Sequence, residues 1–153
     1  MALLNYTTKI SVADSVAEIT SILGSCGANE VRIQYDGARN VAAIAFKAAT
    51  QFGEIAFSLP ANVGAAQRVL NKQVELRQIP KRYLNDSHQA RRICWRILKD
   101  WLTAQLALIE IGMASVEQIF LPYAQAQDGR TVFEELRDRK FKGLALTNGE
   151  SKP

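Results

Sequence analysis

A chain of 153 residues with 48% apolar and 22% charged composition is long enough to bury one sizeable core, so it needs no metal or disulfide to hold a fold. Its net charge of +4 is modest and by itself assigns no partner. The start lacks the basic and apolar regions of a secretion signal, and the longest mostly apolar stretch, Trp101 to Met113, is short for a membrane span and is broken by Gln105 and Glu110; a soluble, cytoplasmic protein without membrane contact is expected.

From Ser11 to Leu23, Val12, Val16, Ile19, Ile22 and Leu23 fall on one helical face, with Ser11/Asp14 or Ser15/Glu18 as capping boxes and Gly24 or Gly27 as a stop. Val31, Ile33 and Tyr35 then alternate with polar residues, which predicts a half-buried strand, and Asp36-Gly37 opens a turn. Val41 to Phe46 is continuously apolar, and Ile55, Phe57 and Leu59 alternate after a turn near Phe52-Gly53, so the middle of the chain reads as a three-stranded antiparallel meander. Pro60 suits the entry to a helix carrying Val63, Ala66, Val69 and Leu70 and ending near Gln73. Val74 to Leu84 has no clean period and contains Ile79-Pro80, the pattern of a connecting loop.

Asn85-Asp86-Ser87 offers N-caps for the strongest helix, Ser87 to Ile111, with Ile93, Ile97, Trp101, Ala104, Leu108 and Ile111 along one face and Gly112 as its stop. Leu98, Leu102, Leu106 and Ile109 spill beyond that stripe, more apolar surface than a small sheet covers, which predicts a homo-oligomer. Val116 to Leu121 forms a further helical turn closed by Pro122, and Thr131 to Glu134 is a capping box opening a last helix through about Arg139. Thr147 to Pro153 reads as a disordered tail behind a single domain of residues 1–146. The expected fold is α+β: an N-terminal helix, a three-stranded antiparallel meander, then a helical C-terminal half with one long helix, and Trp101, Ile97, Leu108, Phe46, Ile55 and Phe57 in the core.

Charge is concentrated within this layout. Between Arg68 and Lys99 nine cations face only Glu75 and Asp86, a net +7 in a chain whose total is +4. Such clustering points to an anionic partner, nucleic acid or an acidic protein. Along the long helix Arg92, Arg96 and Lys99 fall near one line opposite the apolar stripe, with Arg91 and Trp95 beside it. Phosphate contact with a base stacked on Trp95 is one reading, and a solvated helix face with Trp95 at the core edge is the other. Arg77, Lys81 and Arg82 lie in the expected loop, where basic residues meet polyanions or serve solubility.

No catalytic or cofactor motif accompanies the cluster, so the chain reads as non-enzymatic and without a cofactor or metal. His88 is the only histidine, which excludes mechanisms needing a pair. Asp100, Glu110 and Glu117 are not spaced as metal ligands, and no phosphate-binding glycine loop is present. Cys26 and Cys94 sit among apolar neighbours and are expected to be reduced, although sequence spacing leaves their pairing open.

At Asn5-Tyr6-Thr7-Thr8, at Trp95 to Trp101 (Trp-Arg-Ile-Leu-Lys-Asp-Trp) and at Phe120-Leu121-Pro122-Tyr123, the chain resembles a group of small proteins of bacterial, prophage and phage genomes. That resemblance implies a setting in a mobile element or its host and carries no ligand or site residue with it. In layout alone the meander flanked by helices is similar to phage single-strand annealing proteins, which hold the backbone of single-stranded DNA with a small sheet and a helix. The expected function is therefore non-enzymatic binding of nucleic acid, in single-strand binding or annealing, through Arg77, Lys81, Arg82, Arg91, Arg92, Trp95, Arg96 and Lys99. The alternative is an accessory factor that captures a protein or sequesters a small ligand, such as an inhibitor of a defence system.

Overall fold

Ser11 is extended, and its hydroxyl accepts a hydrogen bond from the Asp14 amide at 3.0 Å, which starts helix α1 (Val12–Ser25) where its sequence cap stands. A computed structural model describes residues 1–146 of the chain; the tail expected from Thr147 to Pro153 lies outside the described residues. Three antiparallel strands follow in the order β1 (Ala28–Tyr35), β2 (Val41–Thr50) and β3 (Gly53–Ser58). β2 runs four residues past its apolar segment because Lys47, Ala49 and Thr50 pair with Ala56, Glu54 and Gly53 of β3. Pairing of Val31 with Phe46 and Phe46 with Phe57 puts these side chains on one face of the sheet, where the Phe46 and Phe57 rings stack at 5.0 Å.

Asn62 caps α2 (Val63–Glu75), and Asp86 caps α3 (Ser87–Glu110), whose end is set by Gly112 at φ +75. α4 (Val116–Phe120) and α5 (Val132–Asp138) each begin with the two reciprocal bonds of a capping box, at Ser115/Gln118 and Thr131/Glu134. Short 3-10 turns at Lys81–Tyr83 and Leu121–Tyr123 complete an α+β architecture of one helix, a three-stranded sheet and a helical second half.

α3 is buried on two sides, and this is what positions the candidate site. Trp95, Leu98 and Leu102 join Val16, Ile19 and Leu23 of α1 and the inner sheet face, while Ala90 and Ile93 join Leu70, Ile79 and Tyr83 in a second cluster under α2. The first 10 residues strap across this second cluster: Gln89 Nε2 donates to the Tyr6 and Thr8 carbonyls at 2.8 and 2.9 Å, and Tyr6 meets Tyr83 edge to face at 5.4 Å. The expected core needs correction accordingly. Phe46 and Phe57 are buried, but Ile55, Ile97 and Trp101 are only partly so, and Leu108 is half-buried with no place in either cluster. Trp101 instead packs edge-on against Phe120 and Tyr123, at 5.9 and 5.8 Å.

Candidate nucleic-acid interface

The two-sided burial of α3 sorts the expected contact residues into three groups. Trp95 is fully buried and cannot stack a base, which leaves its core reading; the single stripe read from sequence sets it beside the charged line, whereas a helix covered on two sides turns position 95 into α1 and the sheet. Arg96 and Lys99 are engaged by α1. Arg96 Nη2 stands 3.0 Å from Glu18 Oε2 with its side chain only 15% exposed, and its Nη1 reaches the buried Ser15 Oγ at 3.4 Å. Lys99 Nζ lies 3.6 Å from the same Glu18 oxygen and 3.5 Å from Asp100. The hydrogen bond from Arg96, with the charges of Arg96 and Lys99 behind it, holds the Glu18 carboxyl below its ordinary range. Arg96 and Lys99 therefore lock α3 to α1 and do not face solvent as free cations.

The third group differs. Arg77, Lys81, Arg82, Arg91 and Arg92 have no carboxylate at salt-bridge distance among the described residues. Ile79 and Tyr83 are buried in the second cluster, so the basic segment between α2 and α3 is anchored at two points rather than loose. Arg82 lies over the Tyr83 ring at 5.0 Å and donates to its hydroxyl at 3.1 Å. Arg92 Nε donates to Gln89 Oε1 at 2.9 Å, so the glutamine that ties down the strap also aims this guanidinium. Arg82 and Arg92 share a cleft with Lys9 and Asp86, and Arg77 and Lys81 line another with Glu75. In each cleft the cations outnumber the carboxylate, a balance that suits phosphate groups.

Sequence reasoning missed two contributors because they are far from the cluster in the chain. Arg39, in the turn between β1 and β2, and Tyr35, at the end of β1, border a groove with Arg91. Asp36-Gly37 marks that turn, but only the packing of α3 against α1 brings Arg91 to the groove. On the opposite side of α3, Ala66, Val69, Cys94, Ile97 and Trp101 line an apolar groove of about 450 Å3. Cys26 and Cys94 are not joined in a disulfide, and burial pushes both thiols upward in pKa. No helix of the described residues is long and apolar enough to cross a membrane. No protein-family model, curated protein or solved structure matches the chain.

Proposed function

We propose that this is a non-enzymatic nucleic-acid-binding protein of a phage or mobile element that holds a single strand by its backbone across the N-terminal end of α3. One observation carries the reading: Arg77, Lys81, Arg82, Arg91 and Arg92, on anchored backbone or at the start of α3, have no carboxylate at salt-bridge distance among the described residues, while the neighbouring Arg96 and Lys99 are paired with Glu18. Backbone contact of this kind is measured by its salt dependence. Fluorescence anisotropy of a labelled oligonucleotide should give log-affinity linear in log salt with a slope of about −2 to −4, the value for roughly three to six phosphates on a single strand. Absence of binding at about 50 mM salt and micromolar protein overturns the proposal.

A second reading, an accessory factor that sequesters a small apolar ligand or binds a protein through apolar contacts, draws on the apolar groove between α2 and α3. Binding insensitive to salt would favour it over a phosphate contact.

A further inference from the structure

The inner face of the sheet is not covered to its end. Along β1 and β2 the register runs Ile33 to Ile44 and Gln34 to Ala43, then jumps to Tyr35 with Val41, leaving Ala42 as an extra residue. A bulge of this kind re-aims the side chains beyond it, and here Tyr35 and Val41 border the same groove. With Val12 and Val16 at the start of α1, and Ile33, they form an apolar trough of about 650 Å3, inside the size range of clefts that take small organic groups. Tyr35 is a large aromatic left 62% exposed at its edge.

The rim is cationic and rigidly mounted. Arg39 holds a left-handed φ of 63, in a turn fixed by Asp36 Oδ1, which accepts from the Ala38 and Asn40 amides at 2.9 Å each. Arg91 approaches from α3, where its charge also reaches the Asp36 carboxylate, and neither guanidinium has a carboxylate at salt-bridge distance among the described residues. An apolar trough with one accessible ring and two cations on its rim matches a nucleotide within a strand, whose base has a flat apolar face and whose phosphates flank it.

We propose that this trough receives one unpaired nucleotide, its base stacked on Tyr35 over Val12, Val16 and Val41, with adjoining phosphates at Arg39 and Arg91. The inference rests on the nucleic-acid reading and specifies it: the bound strand is single because a base enclosed here is not paired. Tyr35 takes the stacking part for which the buried Trp95 is unavailable.

Anisotropy with labelled oligo-dT and with a duplex of mixed sequence tests this directly. Tyr35→Ala should weaken oligo-dT binding about five- to hundredfold, the span of one base stacked on an aromatic ring, and leave duplex binding unchanged, while Tyr35→Phe keeps the parent affinity. Arg39→Gln, which leaves the ring in place, should also weaken oligo-dT binding and reduce the salt slope by about one. Circular dichroism melting shows that each variant is folded. If Tyr35→Ala and Arg39→Gln bind oligo-dT like the parent while an Arg77→Glu/Lys81→Glu/Arg82→Glu variant loses it, the trough is not the site and the backbone reading survives. If the parent binds neither oligonucleotide, both are overturned.

Discussion

Glu18 shows how one residue decides what its neighbours are free to do. Its carboxylate takes both Arg96 and Lys99, and the hydrogen bond from Arg96 keeps it ionised to lower pH than an ordinary glutamate. Because the folded-state pKa lies below the unfolded one, Glu18 stabilises the fold at neutral pH, and that contribution disappears as pH falls through the depressed value. Glu18→Gln should therefore lower the thermal midpoint at pH 7, and parent and variant should converge in acid, which melting curves at pH 7 and at about pH 3 will read. The two tryptophans divide similarly. Trp95 is fully buried between α1 and the sheet, whereas Trp101 is only partly buried, against Phe120 and Tyr123. Trp95→Ala should cost about 3–5 kcal/mol in chemical denaturation, and Trp101→Ala clearly less, because solvent already reaches the space its ring vacates.

Among the elements, α3 carries opposite duties along its length. Its first turns present Arg91 and Arg92 at the rim of the molecule, and its middle is clamped by α1 through Arg96 and Lys99. Charge reversal separates the two. Arg96→Glu places a second carboxylate against Glu18 and should lower the thermal midpoint. Arg77→Glu/Lys81→Glu/Arg82→Glu changes exposed side chains and should leave the midpoint nearly unchanged, since surface substitutions usually stay within about 0.5 kcal/mol, while reducing oligonucleotide affinity at least tenfold. A reversed-charge triple variant that binds as the parent does would remove this segment from the interface. Those basic residues rise from an element with no sequence period, because its order comes from Ile79 and Tyr83 inserting into the cluster under α2 and from the strap laid over it.

At the scale of the whole molecule, α3 is the shared wall of two apolar clusters, one with α1 and the sheet and one with α2 and the strap. Amides between Ile93 and Leu102 should consequently exchange hydrogen only by global unfolding, and those of α5, which contributes no fully buried residue, should exchange faster; exchange followed by mass spectrometry checks the order. The double role of α3 also takes up part of the apolar surface from which a homo-oligomer is expected, while Leu106 and Ile109 stay partly exposed. Leu98 and Leu102, read as surplus apolar surface, are buried within one chain. What stays exposed near the far end of α3 is Ile111 and Met113, with Leu121 beyond α4.

Local chemistry was enough to write most of the elements into the sequence. Ser11, Asp86 and Thr131 each accept a backbone hydrogen bond at a helix start, and the alternation of Val31 with Ile33 and of Ile55 with Phe57 marks the strands, because caps and pleats depend on residues a few positions apart. The basic segment was equally legible as composition. Which of its cations are free was not, since that depends on Glu18, 78 residues before Arg96 and brought to it only when α1 packs on α3. Nor does any local pattern show a helix buried on two faces: one stripe of period 3.6 assigns one inside and one outside, and so leaves Trp95 between a ligand and the core edge. The groove joining Tyr35, Arg39 and Arg91 exists only after a bulge turns the end of the sheet and α3 packs on α1, so the sequence determined the parts and tertiary packing decided which of them come together.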